Sequence, residues 1–188
     1  MGTDENSDAL KAPDYVIERL GPQHDRKAFA CGEPALDIYL KTQVSQDVKR
    51  DLAVCYTLCE RDAAEIIGYY TLSASSLELQ ELPPELAKKA GRYPLIPAIL
   101  LGRLALDQRY QGHGLSELLL LNALRRALRT GVGAKFLIVD ALNERAASFY
   151  AHYNFHQLPD HPLKLYLPMS AIRDLFPGEG DSNAGDMN

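Results

Sequence analysis

The chain has 188 residues, of which 46% are hydrophobic and 24% charged, a composition typical of a soluble globular protein with a single core. No apolar run approaches the ~18 residues of a membrane span, and the polar, acidic first segment lacks the apolar stretch of a secretory signal. We therefore expect a cytoplasmic protein that does not cross a membrane.

The formal net charge of −5 is confined to the two ends of the chain. Residues 1–13 carry three acidic side chains against one lysine, and residues 177–188 carry three acidic side chains and no basic one. Since these ends have almost nothing to bury, we predict disordered acidic tails over 1–13 and 177–188. A single, formally neutral domain is predicted over residues 14–176, and this neutrality neither supports nor excludes a basic patch.

The three cysteines, Cys31, Cys55 and Cys59, are odd in number and lack the spacing of a metal site. On a strand, Cys55 and Cys59 share one face with Cα atoms roughly 13 Å apart. A disulfide requires Cα atoms within about 7 Å, so this pair cannot form one without moving the backbone. We expect buried free thiols in a reducing compartment.

Apolar periodicity and turn residues predict alternating strands and helices in the first half of the chain. "YVIERL" (15–20) is a strand, and "PALDIYLKTQVSQDVKRD" (34–51) is a helix with an apolar stripe. "AVCYTLCE" (53–60) and "EIIGYYTLSASSLEL" (65–79) are rich in strand formers and are joined by the polar "RDAA", which predicts a hairpin.

The second half continues this alternation and contains the most apolar strand. The predicted elements are a short helix over 83–91, a strand over 98–107, a leucine-rich helix ending near Thr130, a strand over 135–142, a helix over 143–153 and a strand over 163–168. The order β-α-β-β-α-β-α-β-α-β predicts an α/β (α+β) fold, with a mixed sheet and helices on its faces.

A glycine-rich turn, Arg109-x-x-Gly112-x-Gly114, lies between the apolar strand and the leucine-rich helix. Backbone N–H groups at a helix N-terminus are unpaired and partly positive, and glycines allow a phosphate to approach them. The pattern is neither a P-loop nor a dinucleotide fingerprint, because the following Lys-Ser/Thr and the required glycine spacing are missing. From these residues alone, it is either a pyrophosphate cradle or a tight turn without a ligand.

A second motif follows in "NERAASFYAHYNF", with Asn143, Ala146, Phe149 and Tyr150 in the pattern N-x-x-A-x-x-F-Y. Together the two motifs resemble those of the GNAT N-acetyltransferases over roughly residues 15–167. The family usually has Gly-Phe after this helix, whereas here Asn154 replaces the glycine. Asparagine tolerates the left-handed conformation needed at a helix end, so this departure is mild.

The resemblance implies a GNAT fold, whose mostly antiparallel central sheet is splayed between strands 4 and 5. It also implies acetyl-CoA as co-substrate and no metal, with the pantetheine arm in the splay and the pyrophosphate on the backbone of the glycine-rich turn. Asn143 would reach the pantetheine, and Phe149 would wall the thiol end. The residues expected to contact acetyl-CoA are Leu104, Ala105, Leu106, Arg109, Gln111, Gly112, His113, Gly114, Leu115, Ser116, Asn143 and Phe149.

Tyr150 is the expected general acid, because the leaving thiolate needs a proton and a phenol with a pKa near 10 is protonated at neutral pH. A purely structural role in packing is the alternative. Glu65, Glu78 and Asp107 are candidates for the general base, with a water chain as the alternative, and none is singled out. Asp107 is expected to cap the start of the turn. His152 and His156 have the spacing of a metal pair, yet Asn154 should end the helix between them, so we expect surface histidines.

A finer resemblance links two segments to the GNAT toxins of type II toxin–antitoxin modules. They are "FACGEPALDIYLKTQVSQD" and "LLGRLALDQRYQGHGLSELLLLNALRRAL". This subgroup acetylates the amino group of charged tRNA and blocks translation, which implies aminoacyl-tRNA as acceptor, a ribbon–helix–helix antitoxin as partner and a homodimer. The alternatives are an acetyltransferase of a small amine or protein N-terminus, and an acyl-CoA sensor without catalysis.

A tRNA acceptor requires basic and aromatic side chains near the cleft. The basic candidates are Lys41, Lys49, Arg50, Lys88, Lys89, Arg92 and Arg145. "AKKAGRYP" groups Lys88, Lys89 and Arg92 with Tyr93, and the alternative is a charged helix face that is only solvated. Arg103 lies within the apolar strand, where a guanidinium needs a partner; it either faces the acceptor or pairs with a carboxylate such as Asp140.

Overall fold

The computed structural model describes residues 14–178, and a seven-stranded sheet dominates it. The strands are β1 (Tyr15–Arg19), β2 (Val54–Glu60), β3 (Gly68–Glu78), β4 (Leu95–Leu106), β5 (Phe136–Asp140), β6 (His156–Leu158) and β7 (His161–Pro168). The helices are α1 (Pro34–Ile38), α2 (Val44–Lys49), α3 (Pro84–Ala90), α4 (Leu115–Leu128), α5 (Glu144–His152) and α6 (Met169–Leu175).

The spatial order of the strands is β1-β2-β3-β4-β5-β7-β6. Every neighbouring pair is antiparallel except β4 and β5, which are parallel and connected through α4. The mixed, mostly antiparallel sheet predicted from the sequence is therefore confirmed.

The pairing between β4 and β5 stops halfway along β4. Residues Ala98–Leu101 pair with Phe136–Val139, whereas the remainder of β4, from Gly102 onward, pairs only with β3. The register with β3 shifts at a bulge between Thr71 and Leu72, opposite Gly102. The predicted splay between strands 4 and 5 is thus confirmed, and it begins at Gly102.

Two apolar clusters cover opposite faces of the sheet, because the neighbouring β3 residues Tyr69 and Tyr70 belong to different clusters. The larger cluster includes Tyr70 and packs against the leucines of α4 and against α5. The other includes Tyr69, residues from the α1–α2 segment and all three cysteines. The cysteines are free and buried, as predicted.

The structure corrects the predicted elements in three places. The helix predicted over 34–51 is divided by a π-helical turn at Tyr39–Gln43, which separates α1 from α2. The short strand β6 and the helix α6 were not predicted, although Met169 and Ile172 of α6 are buried. The predicted tails lie outside the described residues except for positions 177–178, and no helix within residues 14–178 is long and apolar enough to cross a membrane.

Candidate active site

The glycine-rich turn joins β4 to the N-terminus of α4. Gly112 and Gly114 have φ values of 82° and 75°, in the left-handed region that favours glycine. A Cβ atom at either position would meet no atom within 4 Å, so backbone conformation rather than crowding requires glycine in the protein itself. The space in front of this turn is open.

Gly114 is the N-cap of the 14-residue helix α4 and offers no side chain to the first-turn N–H groups. Those groups, on Leu115 and Ser116 among others, carry the partial positive charge of the helix terminus. Leu115 is 6% exposed, so its side chain anchors the helix in the core while its backbone belongs to the turn. The arrangement fits an anionic group such as a diphosphate.

A network of hydrogen bonds fixes the start of the turn. Asp107 accepts the backbone N–H of Arg109, which confirms its predicted capping role, and also that of Ala30, both at 3.0 Å. The guanidinium of Arg109 binds Asp107 and Glu65, and Gln111 donates from Nε2 to the carbonyl of Cys31. The loop before α1 is therefore held against the glycine-rich turn.

A cavity of about 420 Å³ opens where β4 and β5 separate. One wall is the loop before α1, with Cys31, Gly32 and Glu33, together with Leu36 of α1. A second wall is the stretch of β4 over 102–106, which has no partner on the β5 side. This volume lies within the range of ligand pockets, and free strand edges supply amide donors and acceptors to an extended ligand.

The end of β5 and the first turns of α5 complete the cavity. Asn143 is the N-cap of α5: its Oδ1 accepts the N–H of Ala146 at 3.0 Å, and its Nδ2 faces Glu33 Oε1 at 3.4 Å. Phe149 lines the cavity and contacts Tyr150 edge-on, with ring centroids 5.3 Å apart. The predicted acetyl-CoA residues of β4 and α5 thus lie in one cavity.

Tyr150 lies at the junction of the cavity and the core. Its side chain is 7% exposed and lines the cavity. Burial alone raises the pKa of its phenol above the usual value near 10. A buried, neutral phenol is suited to donate a proton and not to act as a base.

Arg103 packs against an aromatic ring. Its guanidinium carbon lies 3.5 Å from the centroid of the Tyr39 ring, and the residue lines the cavity. Among residues 14–178 no ion pair joins it to Asp140, which also lines the cavity. Of the two alternatives left open for Arg103, the pairing with Asp140 is therefore wrong.

Gln111, Gly112 and Ser116, at the turn and the start of α4, also line the cavity, whereas the remaining predicted residues lie outside it. Four of these lie close by without lining the cavity: Arg109, His113 and Gly114 of the turn, and Leu115, the first residue of α4. His113 is exposed, as expected. The substrate candidates Lys88, Lys89, Arg92 and Tyr93 are exposed on α3 and the loop after it. All four precede Leu95, the first residue of β4. Seven residues of strand, roughly 23 Å, separate Leu95 from Gly102, where the cavity begins.

None of the three carboxylates considered as a general base faces the cavity. Asp107 and Glu65 bind Arg109, and Glu78 caps a short turn after β3. The acidic residues that do line the cavity are Glu33 and Asp140. Sequence reasoning missed Glu33, because its loop reaches the site only through contacts with β4.

The histidine pair and the helix end agree with the sequence analysis. Asn154 has φ of 65°, the predicted left-handed conformation at the end of α5. His152 lies on α5 and His156 on β6, both exposed. Within the described range, no group of three or more His, Cys, Asp or Glu residues is arranged to hold a metal ion.

Comparison with known proteins gives consistent matches along the chain. The pattern of the acetyltransferase (GNAT) family matches residues 26–155. The probable toxin TacT of Sinorhizobium fredii is 31% identical over 171 residues, covering 86% of this chain and 94% of TacT. The tRNA-acetylating toxin of Mycobacterium tuberculosis is 33% identical over 160 residues, covering 84% of this chain and 94% of that protein.

Two solved structures of the toxin AtaT are also similar. AtaT complexed with acetyl-methionyl-tRNAfMet superposes with a TM-score of 0.80 at 34% identity, covering 87% of this chain and 99% of that chain. A Tyr-to-Phe mutant of AtaT, bound to the C-terminus of the antitoxin AtaR and acetyl-CoA, gives a TM-score of 0.75 at 31% identity, covering 87% and 99%.

Proposed function

The chain belongs to the GNAT acetyltransferase family, and on this premise we propose that it transfers the acetyl group of acetyl-CoA to the amino group of aminoacyl-tRNA and acts as a toxin that blocks translation. The observation that carries the proposal is the free edge of β4 from Gly102 to Leu106, which runs between the uncapped N-terminus of α4 and the phenol of Tyr150. An extended thioester with a diphosphate at its other end fits this arrangement.

On the donor side, the diphosphate of acetyl-CoA binds the backbone N–H groups from Gln111 to Ser116, where the helix terminus favours negative charge. The amides of the pantetheine arm pair with the free edge of β4 at Leu104 and Leu106, with Ala105 between them. Asn143 contacts the arm from the opposite wall, and Phe149 covers the thiol end. Arg109 acts through Asp107, because its guanidinium is bound to carboxylates.

In the transfer step, the acceptor nitrogen attacks the acetyl carbonyl carbon and the carbon–sulfur bond breaks. The departing thiolate takes the proton of the Tyr150 hydroxyl, the nitrogen releases a proton to solvent, and Tyr150 regains a proton from solvent before the next turnover. Burial keeps the phenol neutral until that moment.

On the acceptor side, two relatives named for toxins and the AtaT complex with acetylated tRNA support aminoacyl-tRNA. The exposed Lys88, Lys89 and Arg92 and the ring of Tyr93 contact the tRNA beyond its acceptor end, because the molecule is far larger than the cavity. Arg103, inside the cavity, contacts the acceptor end itself.

We further propose an antitoxin of the ribbon–helix–helix type, a homodimer and a cytoplasmic location. AtaT bound to the C-terminus of AtaR supports an antitoxin partner. Co-expression that restores growth, and light scattering of the purified chain, test the partner and the dimer.

Transfer of labelled acetyl to total aminoacyl-tRNA tests the function directly. We expect label on charged tRNA with wild-type protein and no label on deacylated tRNA. Failure on every charged tRNA, by an enzyme that binds acetyl-CoA and acetylates a small amine or a protein N-terminus, would reject the tRNA acceptor and leave the acetyltransferase in place.

A further inference from the structure

The bulge at Gly102 changes the direction in which the following β4 side chains point. Leu101 pairs with Leu72, and Leu104 pairs with Tyr70, and all of these residues contact the cluster under α4. Leu101 and Leu104 are three positions apart, so one extra residue has been inserted between them. Without the bulge, Arg103 would share the face of Leu101; with it, Arg103 faces the opposite side of the sheet.

On that side, Arg103 meets a fixed aromatic ring. Tyr39 is 2% exposed, stacks on Tyr69 with centroids 6.4 Å apart and donates from its hydroxyl to Asp47 at 2.9 Å. The guanidinium carbon of Arg103 lies 3.5 Å from the Tyr39 centroid. Because this contact uses the face of the guanidinium, its N–H donors along the edge stay available for a ligand.

The two faces of the sheet carry different parts of the site. The donor turn leads into α4, and Tyr150 belongs to α5, and both helices pack on the larger cluster. The α1–α2 segment and Arg103 lie on the other face. In the proposed function the thioester occupies the gap from the α4 side, which leaves the α1–α2 side, past Arg103, as the approach for the acceptor.

We propose that Arg103 is a specificity-determining residue that binds a phosphate oxygen at the acceptor end of the tRNA and thereby positions the amine before the thioester. This inference rests on the proposed function. A planar guanidinium suits phosphate, and no carboxylate forms an ion pair with Arg103 among residues 14–178. Tyr39 is the positioning residue that keeps the guanidinium flat.

Two minimal acceptors distinguish phosphate binding from other roles. An aminoacylated CCA trinucleotide carries phosphates next to the terminal adenosine, whereas aminoacyl-adenosine carries the same amine and ester without phosphate. We expect Arg103→Gln to lower kcat/KM for the trinucleotide at least about tenfold more than kcat/KM for aminoacyl-adenosine, because a charged hydrogen bond to phosphate is lost only with the trinucleotide. Arg103→Lys keeps the charge but loses the planar guanidinium, so its kcat/KM for the trinucleotide should lie between the values of the wild-type protein and Arg103→Gln.

Two controls separate recognition from stability. Tyr39→Phe keeps the ring and should preserve the preference for the trinucleotide, whereas Tyr39→Leu removes the ring and should lose it. Arg61→Gln removes one positive charge at the β2–β3 turn and should leave kcat/KM unchanged for both acceptors. Arg103→Gln should also make kcat/KM for the trinucleotide less steeply dependent on salt, by about one phosphate contact.

Each outcome is decisive. Equal losses on both acceptors, or no loss on either, would overturn the role of Arg103 while the proposed function stands. A wild-type protein that binds acetyl-CoA but acetylates neither these acceptors nor full-length aminoacyl-tRNA would reject the proposed function, and the inference with it.

Discussion

The carboxylate of Asp107 holds Arg109 by its side chain as well as its backbone: Oδ1 accepts from Nε at 2.9 Å, and Oδ2 accepts from Nη2 at 3.1 Å. The same carboxylate accepts the N–H of Ala30, and it is 1% exposed. Nη2 of Arg109 also donates a hydrogen bond to Oε1 of Glu65 at 2.6 Å. One buried side chain therefore connects the end of β4, the glycine-rich turn and the loop that walls the cavity.

Replacing Asp107 should loosen both sides of the cavity. We expect Asp107→Asn to lower the free energy of unfolding by about 1–3 kcal/mol, because charged hydrogen bonds are lost. It should also raise KM for acetyl-CoA more than it lowers kcat. Glu65→Gln, which removes only the exposed partner of Arg109, should cost less than about 1 kcal/mol. Denaturant unfolding and steady-state kinetics measure both, and equal effects of the two substitutions would contradict the central role of Asp107.

The same site predicts a pH dependence of stability. Burial acts to raise the pKa of Asp107, but hydrogen bonds from Arg109 and Ala30 outweigh it and hold the pKa below its usual value. A lowered folded pKa gives stability that is present above the unfolded value of about 3.9 and is lost as pH falls through the folded value. Wild-type protein should therefore lose more stability than Asp107→Asn between pH 6 and the acid range. Parallel curves for the two proteins would argue against this assignment.

Asn143 should carry two separable roles. Asn143→Ala removes the N-cap of α5 and should cost about 1 kcal/mol of stability. Asn143→Ser keeps a capping oxygen but loses the amide, so we expect nearly wild-type unfolding and a raised KM for acetyl-CoA. If the serine variant keeps the wild-type KM, Asn143 is only a cap.

The sequence predicted the fold where local signals were strong. Two glycines with positive φ before a leucine helix, and Asn154 at a helix end, are backbone requirements that single residues reveal. The π-helical turn at Tyr39–Gln43 was missed because the apolar stripe continues through it. The strand β6 was missed because three residues carry too little pattern.

The same contrast holds for the cavity. The turn and α5 could be located from motifs, whereas the wall at Cys31–Glu33 depends on contacts such as Ala30 with Asp107, 77 positions apart. The contact of Arg103 with Tyr39 could not be predicted from the sequence. It depends on a bulge that reverses the direction of the Arg103 side chain, and no residue pattern indicates that bulge. Long-range register, not composition, decides these features.

Tyr150→Phe should separate chemistry from binding. We expect kcat to fall by roughly 10² to 10⁴, the usual contribution of a positioned acid, with the Kd of acetyl-CoA nearly unchanged. Rapid kinetics and equilibrium binding measure the two. Wild-type turnover in the variant would remove Tyr150 from the mechanism.

The pH profile gives an independent check on Tyr150. Because burial raises the pKa of its phenol, the proton remains available as pH rises past the ordinary value near 10. We therefore expect the kcat of the wild-type protein to show no decline near pH 10 that is caused by Tyr150. A decline caused by Tyr150 would be recognised because Tyr150→Phe abolishes it. Such a decline would indicate a solvent-exposed phenol.

The glycines of the turn have a matched control at the other end of α4. Gly112, Gly114 and Gly131 all have positive φ, and each has open space where the methyl group of an alanine would lie. Alanine at each should therefore cost a similar 1–2 kcal/mol of stability, roughly the penalty for a left-handed residue with a Cβ atom. Only Gly112→Ala and Gly114→Ala should raise KM for acetyl-CoA, because there the methyl group meets the diphosphate. A raised KM in Gly131→Ala would mean that strain alone explains the effect.

Calorimetric titration of the folded chain with acetyl-CoA and with S-acetylpantetheine, which lacks the diphosphate, tests the central claim most directly. We predict one acetyl-CoA site per chain and at least about tenfold weaker binding of S-acetylpantetheine, because the N-terminus of α4 then has no anion to hold. No heat from acetyl-CoA, or equal affinity for both compounds, would contradict the account.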